Sequence, residues 1–126
     1  MGKLFGPEID DTDKIRGEVD MSKSVIQSGI CGFTTEVIAR ADSSTCSLII
    51  ISDCPAIQGL AEELRQVDPM EEITYQGEGP LTLRLAREHC PHPACPVPAG
   101  IIKAVEVEAG LALPKDATIT VMSTND

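Results

Sequence analysis

Two segments of the chain place a cysteine in the same short pattern, Cys-Pro-x-x-x-Gly. They are CPAIQG at residues 54–59 and CPVPAG at residues 95–100. Because proline suits the first position of a helix, the pattern predicts that Cys54 and Cys95 are the N-cap residues of two helices. A helix N-terminus favours an anion, and a thiolate is both a nucleophile and a metal ligand. Since cysteine is a poor cap compared with Ser, Asp or Asn, its use at two helix starts favours chemistry there.

Further metal-ligating or nucleophilic side chains lie in two other segments. Cys31 lies in SGICGF, where the flanking glycines permit a tight strand connection that leaves a thiol accessible. Cys90 and His92 belong to HCPHPA, a proline-stiffened stretch directly before Cys95. The fifth cysteine, Cys46, lies in the apolar stretch TCSLIII and is interpreted as a small buried hydrophobic residue. An odd number of cysteines cannot pair fully within one chain, so metal ligation or thiol chemistry is favoured over a disulfide framework.

The composition describes an acidic chain with an aliphatic core. The 126 residues carry a formal net charge of −10, and 42% are hydrophobic but only 2% are aromatic. The negative charge argues against nucleic acid and anionic membranes as partners, since both require a basic surface. No apolar run approaches the roughly 20 residues of a membrane span, and the N-terminal residues lack the apolar segment of a signal peptide. We therefore expect a soluble cytoplasmic protein.

The distribution of charge and apolar residues divides the chain into an extension and one domain. Residues 1–20 hold six acids, three bases and little periodic apolar content, so we interpret them as an acidic, flexible N-terminal extension. Residues 21–126 are expected to form a single α+β domain. The acidic pairs at residues 62–63 and 71–72 are interpreted as parts of solvated faces.

The apolar spacing in this domain predicts the element order β-β-β-α-α-α-β. Strands are predicted at residues 24–29, 34–41, 46–52 and 117–123, with a turn at residues 42–44 that makes a hairpin. Helices are predicted from Pro55 to Val67, over LTLRLAREH after Pro80, and from Pro96 to a C-terminal Gly110. The predicted fold class is therefore α+β, with a small, mainly antiparallel sheet of three to four strands and about three helices packed on one face.

The positions of three cysteines resemble those of the iron–sulfur cluster scaffold family IscU and of the N-terminal domain of NifU. Cys31, Cys54 and Cys95 are separated by 23 and 41 residues, close to the spacing of that family, and CPVPAGIIKAV is similar to its last cysteine segment. The resemblance covers about residues 24–110 and implies an IscU/SufE-like fold that binds an iron–sulfur cluster. Phe33 stands where that family has an aspartate after its first Cys-Gly.

A second, shorter resemblance concerns Cys95 alone. The sequence CPVP is similar to the Cys-Pro-x-Pro motif of the TusA family of sulfur carriers, in which the cysteine carries a persulfide. This likeness covers residues 95–123 and implies that Cys95 is a catalytic thiol. Cys90 would then be a resolving partner, and His89 or His92 a base that stabilises the thiolate.

The sequence leaves three functions open. The first is a scaffold- or carrier-like site for Zn²⁺ or an iron–sulfur cluster, formed by Cys31, Cys54 and Cys95 with His92 or Cys90 as fourth ligand. The second is thiol or persulfide chemistry at Cys95, and the third is a non-catalytic module that binds protein partners or forms a homo-oligomer. The sequence contains no G-x-S-x-G, Walker loop or H-E-x-x-H, so it favours a protein that is not an enzyme.

Overall fold

The computed structural model describes residues 21–124, which form an antiparallel sheet of four strands with helices packed against it. The strands lie in the order of the chain and are β1 (Ser22–Gln27), β2 (Thr34–Asp42), β3 (Thr45–Ser52) and β4 (Gln66–Val67). The helices are α1 (Pro55–Glu63), α2 (Pro69–Glu72), α3 (Leu81–His89) and α4 (Val97–Glu108). This architecture confirms the predicted α+β class. The predicted acidic extension, residues 1–20, lies outside the described residues.

Alternation of side chains along the strands decides which face of the sheet is covered. Thr35, Val37 and Ala39 of β2 are fully buried, whereas Ile49 and Ile51 of β3 are 58% and 54% exposed. Because successive side chains of a strand point to opposite faces, one face carries the core and the other is open to solvent. α4 packs on β1 and β2, and α1 packs on β3. The helices therefore cover the face that carries the core, as predicted.

A glycine allows α4 to lie directly on β1. A Cβ atom at Gly100 would overlap the side chain of Ile26. The hydroxyl of Ser24 donates a hydrogen bond to the carbonyl of Gly100 (2.8 Å), and that of Ser22 donates to the carboxylate of Glu108 (2.8 Å). These contacts make α4 antiparallel to β1, so the N-terminus of α4 lies at the end of the sheet where β1 finishes.

The core between the sheet and the helices is aliphatic, as the composition predicts. Cys46 is fully buried within it, which confirms its interpretation as a small hydrophobic residue. Burial raises the pKa of the Cys46 thiol, and the charge of Glu108 raises it further. Among residues 21–124, no helix has the length and apolar character needed to cross a membrane.

The first helix is shorter than predicted. α1 ends at Glu63, and Leu64 leaves the helical conformation with φ −101° and ψ 76°. Val67 was predicted to continue the apolar stripe of the helix, but it belongs to β4, which pairs with β3. The side chain of Val67 is buried in the same core that α1 packs against. Its apolar character therefore fitted the helical pattern, although its backbone is extended.

The strand predicted at residues 117–123 is not formed. Residues 111–124 are exposed throughout and carry no helix or strand. Ile119 and Val121 are 83% and 87% exposed. A strand needs a neighbouring strand for its backbone hydrogen bonds, and this segment lies beside none of the four. The fourth strand of the sheet is instead the two-residue β4.

The interpretation of residues 71–72 as a solvated pair is wrong for Glu72. Its side chain is 2% exposed and accepts hydrogen bonds from the backbone N–H groups of Leu81 (2.8 Å) and Thr82 (3.1 Å). The N-cap of α3 is Pro80, which makes no side-chain cap. Glu72 therefore supplies the missing cap from a distance of nine residues, and it closes the loop of residues 73–80.

Candidate functional site

Four of the five cysteines lie at the end of the sheet where β1 finishes and α4 begins. In the antiparallel register Gln27 faces Thr34, and Thr35 faces Ser52. The loop between β1 and β2 and the residues after β3 therefore share this end. The four residues are Cys31 in that loop, Cys54 after β3, Cys90 at the end of α3 and Cys95 before α4.

The position of Cys54 is held by the side chain of Ser52. The Cys54 N–H donates to the Ser52 hydroxyl oxygen (3.1 Å), which also accepts a hydrogen bond from the hydroxyl of buried Thr35 (2.8 Å). The side-chain amide of Gln58 donates to the Ser52 carbonyl (2.8 Å). Cys54 is the N-cap residue of α1, as predicted, and Pro55 follows it in the first turn. The thiol of Cys54 makes no capping hydrogen bond. The sulfur is therefore not used to stabilise the helix.

Cys95 lies one residue outside the position that the sequence predicted. The N-cap residue of α4 is Pro96, and the helix begins at Val97 with Pro98 also in its first turn. Both Pro96 and Pro98 fit the first turn of a helix, so the sequence pattern alone does not fix the residue at which α4 begins. Cys95 instead ends a turn, in which its N–H donates to the carbonyl of His92 (3.2 Å).

The glycines of the two Cys-Pro-x-x-x-Gly segments both lie at close helix contacts. A Cβ atom at Gly59 would lie 3.1 Å from Nδ1 of His89, which belongs to α3. At Gly100 the same atom would overlap Ile26 of β1. Each glycine thus lets its helix approach a neighbour closely, and each helix start carries its cysteine to the shared end of the sheet. The repeated pattern therefore has a packing role.

Cys54, Cys90 and Cys95 form a partly buried group, which we call the cysteine cluster. All three pack against the hydrophobic core. Burial raises the pKa of the Cys90 thiol, and the negative charges of Cys95 and Cys54 as thiolates raise it further. A cation placed beside Cys90 would offset this effect and stabilise its thiolate. The cluster is therefore a donor set suited to a soft metal ion.

Two residues predicted as ligands lie outside the cluster. His92 is exposed in the turn before Cys95. Cys31 is exposed in the loop between β1 and β2, where Gly29 and Gly32 adopt positive φ values of 89° and 78°. The Gly32 N–H donates to the Gly29 carbonyl (2.9 Å), so the loop is a tight turn that presents Cys31 to solvent.

The cysteine cluster is more open than a closed metal site. Among the described residues, no three cysteine sulfur atoms all lie within 4.8 Å of one another. Four sulfurs around one Zn²⁺ at about 2.3 Å are roughly 3.8 Å apart. Binding one ion through all three thiolates thus requires the sulfurs to approach. The exposed turn at residues 91–94, which contains Pro91 and Pro93, connects Cys90 to Cys95.

A second group of metal-ligating side chains was missed in the sequence. One ligand atom from each of Glu63, Glu88 and His89 lies within 4.8 Å of the other two. His89 Nε2 is 2.9 Å from a carboxylate oxygen of Glu63, and this contact joins α3 to α1. Both glutamates are exposed. Because the three residues belong to two helices, only the packing of α1 against α3 brings them together, and no spacing in the sequence signals it.

The fold and the site define a small α+β domain that gathers cysteines at one end of its sheet. The chain belongs to a family of unknown function, DUF6951, whose sequence model matches residues 22–121. No curated protein and no solved structure matches the chain at a significant level.

Proposed function

We propose that this protein binds a thiolate-ligated metal centre, either Zn²⁺ or an iron–sulfur cluster, in the cysteine cluster. The observation that carries the proposal is that Cys54, Cys90 and Cys95 are partly buried against the same core, with the charges of Cys95 and Cys54 near enough to raise the pKa of the Cys90 thiol. Cys90 and Cys95 are five residues apart in the chain, and the fold adds Cys54 from a distant segment. A scaffold or carrier of the metal centre is the role that suits such an open site.

The chemistry of the donor set fits the proposed centre. Thiolate sulfur is a soft ligand, and it is the preferred ligand of structural Zn²⁺ and of iron–sulfur clusters. Partial burial favours metal binding, because the attraction between a thiolate and a cation is stronger away from water. The spacing of Cys31, Cys54 and Cys95 resembles that of the IscU family, and it supports the iron–sulfur alternative if Cys31 joins the cluster as a ligand.

The fourth ligand is proposed to be Cys31. It lies at the same end of the sheet as the cluster but on an exposed loop. A ligand on such a loop would complete the coordination and leave the centre accessible from solvent. His92 is the competing ligand, since it is exposed in the turn that connects two cluster residues. Separate Cys31→Ser and His92→Ala variants distinguish the two.

The test is metal analysis of protein purified without oxygen. We expect Zn or Fe with labile sulfide at a fixed ratio to protein, and a thiolate-to-iron absorption band if a cluster is bound. Replacing Cys54, Cys90 or Cys95 singly by Ser is expected to lower the bound metal at least tenfold. Cys46→Ala is the matched control, because Cys46 is buried in the core away from the cluster and its loss should leave the metal content unchanged.

Two outcomes would contradict the proposal. One is a colourless, metal-free protein that also fails to bind added Zn²⁺ or a reconstituted cluster. The other is metal binding that survives all three substitutions in the cluster. If the metal-free protein instead takes up sulfane sulfur on Cys95 and Cys95→Ser abolishes this loading, the sulfur-carrier function replaces the metal site.

A further inference from the structure

The C-terminal segment at residues 117–122 has the composition of a strand but lies beside no other strand. Its sequence, ATITVM, alternates apolar and threonine side chains, and β-branched residues favour extended structure. Ile119 and Val121 point to one face when the segment is extended, and they are 83% and 87% exposed. Two adjacent aliphatic side chains in solvent favour burial in a partner surface.

The outer edge of β3, on the side of β4, is only partly paired with another strand. β4 pairs only with Cys46 and Ser47, and the backbone N–H of Leu48 donates to the carbonyl of Arg65 (2.9 Å). Because N–H groups alternate in direction along a strand, the Ile50 N–H points to the same side as that of Leu48. It lies beyond the last residue that pairs with β4. The outer edge of β3 is therefore open at Ile50, whereas the carbonyl of Ser52 already accepts a hydrogen bond from the side chain of Gln58.

A groove runs along this open edge. It has a volume of about 380 Å³ and lies between β3 and the outer side of α1. Its lining residues are Leu48, Ile49 and Ile50 of β3, with Ala61, Glu62 and Arg65 at or after the end of α1. The walls thus combine aliphatic side chains with the charged residues Glu62 and Arg65.

We propose that residues 117–122 of one copy of this chain add as a strand to the open edge of β3 in a second copy. Ile119 and Val121 would lie in the groove beside Leu48 and Ile50, under Ala61 of α1. The threonines would extend the open face of the sheet. The backbone of the added strand would satisfy the outward N–H and carbonyl groups of Ile50.

Two observations select this edge and a second copy. The other edge of the sheet, β1, carries the exposed Lys23, a residue type that protects edge strands from pairing. The segment's own domain leaves it exposed over residues 111–124. Because each chain carries one donor segment and one acceptor edge, two copies satisfy each other in a closed symmetric dimer.

The test is the molar mass of the full chain in solution, measured by light scattering after size exclusion and by analytical ultracentrifugation. We expect a dimer of the 13.4 kDa chain. The donor variant Ile119→Asp/Val121→Asp and the acceptor variant Ala61→Arg are each expected to be monomers. Leu113→Asp is the matched control, since Leu113 is 87% exposed in the same tail but outside the strand segment. Circular dichroism and thermal unfolding check that each variant is folded.

A mixing experiment tests the pairing directly. The donor variant keeps an intact groove and the acceptor variant keeps an intact segment, so an equimolar mixture is expected to regain association through one exchanged strand. A wild-type chain that stays monomeric at every concentration would refute the exchange. So would a dimer that survives the donor variant, and a dimer that survives Ala61→Arg would refute β3 as its edge.

Discussion

Cys90 and Cys95 lie close enough that the charge of a Cys95 thiolate raises the pKa of the Cys90 thiol. Cys90 ends α3 and Cys95 precedes α4, with the exposed turn of residues 91–94 between them. A Cys95 thiolate therefore opposes the ionisation of Cys90. A bound cation would offset this repulsion, so proton release from Cys90 is an expected signature of metal binding at the cluster.

Zinc binding is expected to tighten as the pH rises. Because the pKa of Cys90 is raised by burial and by its thiolate neighbours, this thiol is protonated near neutral pH and the metal must displace its proton. Calorimetric titrations in buffers of different ionisation enthalpy measure the number of protons released. The Cys90→Ser variant should release about one proton fewer per Zn²⁺. Equal proton release by the wild type and Cys90→Ser would show that Cys90 is not a ligand.

The metal-free protein is expected to lose stability in alkaline solution. The pKa values of Cys46 and Cys90 are raised by burial from the model-compound value of 9.0. A raised pKa gives stability that is fully present below the pKa of the unfolded thiol and is lost as the pH rises through the folded value. Urea unfolding between about pH 8 and pH 10 measures the loss. The loss should be smaller in Cys46→Ala, and an unchanged slope would contradict this origin.

Gly100→Ala is expected to destabilise the protein by about 1–3 kcal/mol, because the added methyl group overlaps Ile26 and forces α4 away from β1. Gly59→Ala is the matched control. The Cβ atom there meets only the ring of His89 at 3.1 Å, and alanine improves helix propensity by up to about 1 kcal/mol. Chemical denaturation compares the two variants. A smaller effect of Gly100→Ala in an Ile26→Ala background, which removes the overlapping Cγ1 and Cδ1 atoms, would confirm the contact. Equal effects at both glycines would contradict it.

Glu72→Ala is expected to lower the free energy of unfolding by about 2–3 kcal/mol. It leaves the N–H groups of Leu81 and Thr82 without the carboxylate that caps α3, and Glu72 is buried. The neighbouring exposed Glu71 provides the comparison, since Glu71→Ala should change stability by less than about 0.5 kcal/mol. Amide hydrogen exchange should quicken at residues 81–83 in Glu72→Ala alone. Similar exchange in both variants would argue against the cap.

The parts of the fold that local chemistry controls were predictable. The hairpin of β2 and β3 follows from two apolar runs joined by Asp42-Ser43-Ser44, and Ser43 takes the left-handed conformation (φ 62°) that such a turn uses. Proline at residue 55 placed the start of α1, and Gly110, with φ 77°, ends the turn after α4. These features depend on residues that are neighbours in the chain.

The errors fall where a distant partner decides the outcome. Val67 fits a helical stripe or a strand equally well, and pairing with Cys46 makes it a strand. The segment at residues 117–123 has strand composition, yet no neighbouring strand is present to pair with it. Glu72 was predicted to be exposed to solvent. It is instead buried, because its carboxylate accepts hydrogen bonds from the N-terminal N–H groups of α3.

The sequence by itself determined the α+β class, the helix start at Cys54 and the burial of Cys46, because each follows from apolar periodicity or from proline chemistry within a few residues. Only the tertiary structure decided which cysteines lie together against the core at this end of the sheet. It placed Cys90 in the cluster with Cys54 and Cys95 and left Cys31 and His92 exposed. The physical reason is that the packing of α1, α3 and α4 sets where each chain segment ends, and such packing depends on contacts between residues far apart in the chain.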